Sequence, residues 1–165
     1  MGRPTLYRPA MADTVISGSH AATTFAVSPF ESEGDFCQFL EQNMGAFIAY
    51  ALGDELVSYE REARFQPGCR GPRVDFRVVG KDYKYLIECK NPNQLVHELT
   101  RSLSQLLHYG YLAGDDYKLV LATTRYTADL SGVIAKYRLP ITVCVVSEDA
   151  LAVLIGNQER EVACG

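Results

Sequence analysis

The sequence contains no run of about 18 uncharged apolar residues, which excludes a transmembrane helix of ordinary length. It also lacks any Cys-x-x-Cys pair. Its five cysteines (Cys37, Cys69, Cys89, Cys144 and Cys164) are odd in number and widely scattered. That pattern argues against a zinc site and against a disulfide framework, and sets a reducing, cytoplasmic compartment as the expectation (the host cell interior, were the chain viral). Arg3 and Arg8 are not followed by a continuous apolar segment, so no secretory signal is expected. There is no internal repeat and no low-complexity tract.

What is present suffices for one compact domain. The chain has 165 residues, 47% hydrophobic and 22% charged, enough for a real core and too few for two. Residues 1–30, rich in Thr, Ser, Ala and Pro, read as a flexible arm, and 31–165 as the folded domain. The formal charge of −4 hides an asymmetry: residues 61–101 carry a local balance of +4 and the remainder −8. A polyanion such as DNA would be met by that middle segment.

Periodicity orders the elements. Phe36, Phe39, Leu40, Met44, Phe47 and Ile48 draw one apolar stripe, which predicts a helix over 34–51 with Ser32 as N-cap and Gly53 as stop. Alternation predicts a strand over 56–65, and Pro67, Gly68, Gly71 and Pro72 then break the chain. Two strands, 74–79 and 83–89, flank a short turn and read as a hairpin. A helix over 95–112 places Leu95, Leu99, Leu103, Leu106 and Leu107 on one face. A buried strand over 117–123, a helix near 129–137 and a strand over 141–146 follow, and 151–155 is either a strand or a helix. This is an α/β sandwich with a mixed sheet.

Chemistry gathers at Asp75, Glu88 and Lys90. Glu88 and Lys90, two apart on a strand, share a face. With Lys81-Asp82 as the turn, Gly80 pairs with Tyr83 and Asp75 falls opposite Glu88. Facing carboxylates repel, and a Mg²⁺ ion, with its preference for oxygen ligands, compensates that. Lys90 beside them could stabilise a phosphorane-like charge or help deprotonate an attacking water. The same three residues on an open strand face would make only an ordinary, weak ion pair.

The segments "RVDFRVV" and "YLIECKN" resemble the PD-(D/E)xK phosphodiesterase superfamily, whose pattern is an Asp on one strand and Glu-x-Lys on the next. Here these are Asp75 and Glu88-Cys89-Lys90, with twelve residues between the carboxylates. The family's core order, helix, three strands, helix and strand, matches 32–123. Val74 stands where the family usually has Pro. On the next helix, Gln105-Leu106-Leu107-His108-Tyr109 is similar to the Gln-x-x-x-Tyr signature of RecB-like nucleases, with both residues on one face.

The resemblance implies a restriction-endonuclease-like three-layer sandwich, a central mixed β-sheet flanked by helices. It implies a divalent-metal-dependent DNA nuclease, with Mg²⁺ (or Mn²⁺) held by Asp75, Glu88, the Cys89 carbonyl and a first-helix carboxylate. Glu33 is preferred to Glu41 for that last role. Lys90 would activate or position the water, and Gln105 would assist. Arg73, Arg77, Asn91 and Tyr109 would meet nucleic acid. Cys89, alternating with Glu88 and Lys90, points to the other, buried face, where its thiol is expected to be inert. The small domain suggests a homodimer, as in restriction enzymes and archaeal Holliday-junction resolvases, with no membrane and no small-molecule organic cofactor. A catalytically inactive nucleic-acid-binding member, or an accessory subunit of a nuclease complex, is the alternative.

Overall fold

The structure is a computed structural model and describes residues 30–66, 68, 70–92, 95–114, 116–146 and 151–155. The expected arm lies outside the described residues except for Phe30. That ring is buried and packs against Phe36 and Phe39, at centroid distances of 5.2 Å each.

The elements are α1 (Glu33–Gln42), α2 (Met44–Leu52), β1 (Leu56–Arg64), β2 (Arg73–Gly80), β3 (Lys84–Lys90), α3 (Leu95–Ala113), β4 (Tyr117–Thr123), α4 (Ala128–Tyr137), β5 (Ile141–Val146) and β6 (Leu151–Ile155). The strands form a six-stranded sheet in the order β1-β2-β3-β4-β5-β6. The β3–β4 and β4–β5 pairs are parallel and the other three antiparallel, so the sheet is mixed, as expected. Residues 151–155, left open by the sequence, are a strand. Among the described residues no helix is long and apolar enough to cross a membrane.

The helix expected over 34–51 is two helices. Ser32 caps the first: its Oγ accepts the Asp35 N–H at 3.1 Å, satisfying an orphan donor of the first turn. At Asn43 the backbone leaves helical geometry (φ −115°, ψ 19°), and the side-chain amide donates to the Phe39 carbonyl at 2.8 Å. That bond offers the chain an alternative to helix continuation. The apolar stripe resumes beyond the break. Gly53, at φ +65°, then ends α2 in the left-handed conformation that glycine adopts freely.

Two hydrophobic cores lie on the two faces of the sheet. One, under α1 and α2, contains Phe36, Leu40, Phe47, Ile48, Phe76, Val78, Tyr85, Ile87 and Cys89. The other, under α3 and α4, contains Val74, Leu86, Leu99, Leu103, Leu106, Tyr109, Leu121, Leu130 and Ile134. This is the three-layer arrangement expected of an α/β sandwich. On α3 the inner stripe is Leu99, Leu103, Leu106 and Tyr109, and Leu107 is exposed rather than part of it. Position 107 is turned about 100° from Leu106, and Tyr109 takes the inward place. Gly110 brings α3 close to β4, where a Cβ would sit 3.0 Å from Leu119 Cδ1.

The β2–β3 hairpin has the expected register: Val79 pairs with Lys84 and Phe76 with Ile87, and the Gly80 N–H donates to the Tyr83 carbonyl at 2.8 Å. Asp54, buried between Gly53 and β1, anchors this turn. Its carboxylate accepts the N–H groups of Glu55, Asp82 and Tyr83 and the Tyr85 hydroxyl. Burial opposes its charge, but these donors hold its pKa down at about 2.

Candidate active site

The site forms where β2 and β3 stop pairing and changes of strand face place a carboxylate between them. In an unbroken strand Val74, Phe76 and Val78 would share one face. Instead, Phe76 and Val78 lie in the α1/α2 core and Val74 in the α3/α4 core. The neighbouring strand does the same: Arg61 reaches Glu41 on α1, whereas Ala63 belongs to the α3/α4 core. Glu62, between them, has φ +50°. Asp75 sits at this switch, and its Oδ2 accepts the Cys89 N–H at 2.7 Å. A side-chain oxygen thus serves a strand N–H beyond the last backbone pair, Phe76–Ile87.

Around Asp75 the structure gathers Glu88, Lys90 and Glu33. Glu88 is buried, with 6% of its surface exposed. Burial and then the Asp75 charge push its carboxyl up to about 8, despite Lys90 and the Asp75 backbone N–H. Asp75 is raised as well, by burial first and by Glu33, against the opposing Cys89 N–H and Lys90. Lys90 Nζ is 3.1 Å from Glu33 Oε1. Burial works against its ammonium, but Glu33, Glu88 and Asp75 hold its pKa above the ordinary value. Glu41 is engaged elsewhere, with Arg61 and the Tyr59 hydroxyl.

From the other layer, α3 presents Gln105 and Tyr109, one turn apart. Tyr109 is buried and stacks on Phe65 at 5.3 Å. Burial, with the charges of Glu88 and Asp75, raises its phenol to about 12, which locates the ring beside the carboxylates. Two buried oxygens here, Glu88 Oε2 and Gln105 Oε1, have no hydrogen-bond partner. A buried acceptor left unpaired costs roughly 1–3 kcal/mol. The unpaired Glu88 oxygen, beside a second carboxylate, matches what a hard cation with its waters satisfies.

The residues expected to meet nucleic acid are placed unequally. Arg73 is exposed and lies 3.5 Å from Glu62. Arg77 is drawn into the fold: it donates to the Arg64 carbonyl at 2.7 Å and its guanidinium covers the Phe65 ring. Asn91 spends its amide internally, donating to the Phe30 carbonyl and accepting the Thr124 hydroxyl. Tyr109, with 5% of its surface exposed, presents almost none of it to a ligand. The sequence reading missed Arg101, whose charge acts on Tyr109, and Glu62, whose charge reaches Asp75. It also missed Cys37, whose Sγ lies within 4.8 Å of both Asp75 and the Cys89 Sγ.

No family model and no curated protein matches the chain. Among solved structures it is similar to a repair endonuclease from Pyrococcus abyssi, at 17% identity and a TM-score of 0.50. That match covers 72% of this chain and 48% of the other, so the chain spans about half the length of that relative. A protein of unknown function from Silicibacter pomeroyi matches at 18% identity and a TM-score of 0.38, over 76% of this chain and 74% of the other. The fold is the restriction-endonuclease-like α/β sandwich that the resemblance implied.

Proposed function

We propose that this chain is a divalent-cation-dependent nuclease that hydrolyses DNA phosphodiester bonds at Asp75, Glu88 and Lys90. The observation that carries the reading is the buried Glu88 carboxylate beside the half-buried Asp75 carboxylate on the adjacent strand, with Glu88 Oε2 unpartnered and an ammonium beside them. A purely structural ion pair has no need of the second carboxylate, and withdrawing two from water together is costly. The nuclease-like fold supports the reading.

Asp75 and Glu88 would hold the cation, with the Cys89 carbonyl and Glu33 as further oxygens, and Mg²⁺ or Mn²⁺ suits such a set. The bound ion supplies Lewis-acid polarisation of a phosphoryl oxygen and a nucleophilic water. Lys90 places a positive charge where the pentavalent phosphorus gathers negative charge, and Glu33 fixes its direction at 3.1 Å. Gln105, its Oε1 unpartnered, can accept a hydrogen bond from the attacking water and orient it. Arg73, exposed at the start of β2 two residues before Asp75, would take a flanking phosphate. The small domain leaves room for a homodimer, which light scattering tests.

The deciding experiment is cleavage of plasmid, linear duplex, single-stranded and four-way-junction DNA with Mg²⁺ or Mn²⁺, beside Lys90→Ala. Cleavage that requires the cation and disappears with Lys90→Ala supports the proposal. Absence of cleavage on every substrate, with no divalent-cation binding by calorimetry, overturns it and leaves a binding module.

A further inference from the structure

Every fourth residue of α1 carries a titratable side chain toward the sheet: Glu33 meets Lys90, Cys37 meets Asp75 and Cys89, and Glu41 meets Arg61. Residues four apart stack on one helical face, so this is a single seam. Its two ends are ion pairs. The middle is different: two free thiols and a carboxylate, with all three ligand atoms within 4.8 Å of one another. Cys89 is fully buried, whereas Cys37 retains 8% of its surface, so the cluster is reached from the Cys37 side.

We propose that Cys37, Cys89 and Asp75 form a site for a thiophilic divalent cation of the zinc class, and that its occupation withdraws Asp75 from the nuclease centre. The donor set is two sulfurs and one oxygen, which favours zinc or cadmium over magnesium. With Zn–S bonds of about 2.3 Å, tetrahedral ligands stand about 3.7 Å apart. With all three atoms within 4.8 Å, the closure needed is at most about 1 Å, and water at Cys37 completes the shell. On binding, both thiol protons pass to solvent, leaving two thiolates and the carboxylate around the cation. Arg61, whose charge acts on Cys37, offsets part of the excess negative charge.

The competition follows from the place of Asp75. Its Oδ2 is tied to the Cys89 N–H, so the carboxylate cannot swing far. On one side of it lie the sulfurs; on the other lies Glu88. A doubly charged ion on the sulfur side repels a second one at Glu88 and draws on the same carboxylate. This part rests on the nuclease reading, whereas binding at the thiols does not.

The test uses the full chain under a non-thiol reductant, titrated with Cd²⁺ while sulfur-to-metal charge-transfer absorbance is followed. A saturable band at a single equivalent is expected, lost in Cys37→Ser and retained in Glu88→Gln. Circular dichroism and thermal melting confirm that both variants fold. Where Mg²⁺-dependent cleavage is observed, Zn²⁺ should inhibit the wild type and leave Cys37→Ser at least about tenfold less sensitive. No band overturns the site, and so does one that survives Cys37→Ser, since Cys69, Cys144 or Cys164 would then be the ligands. A band with equal inhibition of both proteins overturns the competition. A normal band with no cleavage under any condition sinks the nuclease reading and leaves the thiol site standing.

Discussion

Replacing Glu88 by Gln keeps the shape of the side chain and removes the charge that the fold tolerates least. An acid whose folded-state pKa is above its unfolded one binds its proton more tightly in the native state. For Glu88, raised from 4.5 to about 8, the stabilisation is full below pH 4.5 and declines as pH climbs toward 8. At about 1.4 kcal/mol per unit, the wild type should lose on the order of 2 kcal/mol from this group between pH 5.5 and 7.5. For a domain of this size that is a fall of about 4–8 °C in Tm. The assay is thermal unfolding of wild type and Glu88→Gln in a chelator, at four pH values from 5.5 to 8.5. Subtracting one profile from the other cancels most groups that titrate in both proteins. The variant should be the more stable protein at pH 8.5, and the gap should close toward pH 5.5. Millimolar Mg²⁺ should then raise the wild-type Tm at high pH and leave the variant unmoved. Parallel profiles, or an equal response to Mg²⁺, would refute the reasoning that buried like charges define this site.

Three further outcomes are expected. Asp54→Asn should lower Tm at pH 7. Because the folded pKa of Asp54 is depressed to about 2, the deficit should shrink as pH falls from 4 toward 2, which acid titration followed by circular dichroism checks. Gly80→Ala should destabilise the hairpin, since its Cβ would collide with the Asp54 carboxylate and the Tyr83 carbonyl; chemical denaturation should show about 1–3 kcal/mol lost. Leu106→Ala, at a fully buried position under α3, should cost about 2–5 kcal/mol in the same assay.

The hairpin register was legible because a two-residue turn and strand alternation leave little freedom: once Gly80 faces Tyr83, the pairs from Val79–Lys84 to Phe76–Ile87 follow. The mixed sheet was legible for a similar reason, since a short turn forces antiparallel strands and an intervening helix permits parallel ones. The break at Asn43 was not, because the apolar stripe runs through it and only a local side-chain bond marks the interruption. Nor could residues 151–155 be settled, since five consecutive residues with no polar alternation fit either period. Within the site, counting from the turn brings Asp75 and Glu88 to neighbouring strand ends. It does not give the end of the ladder at Phe76–Ile87, beyond which Asp75 accepts the Cys89 N–H instead of standing in a backbone pair opposite Glu88. Nor does it give the engagement of Arg77 with Arg64 and Phe65, or of Asn91 with Phe30 and Thr124. These are contacts between distant segments, invisible to any local period. Cys37 and Cys89 meet for the same reason: α1 crosses over β3, and nothing in their spacing announces it.

The change of face at Asp75 makes the sheet a poor partition. Elsewhere among the described residues the sheet separates the two cores, and a side chain answers to one of them. At the paired face changes of β1 and β2 the wall is perforated, and the carboxylate of Asp75 stands at the opening. A substitution beneath α1 and a substitution beneath α3, far apart in the chain and without contact, should therefore bear on the same oxygen atoms. Chemistry at such a node can be retuned from either layer while the other is left intact, so the two helical layers act as independent handles on one functional group.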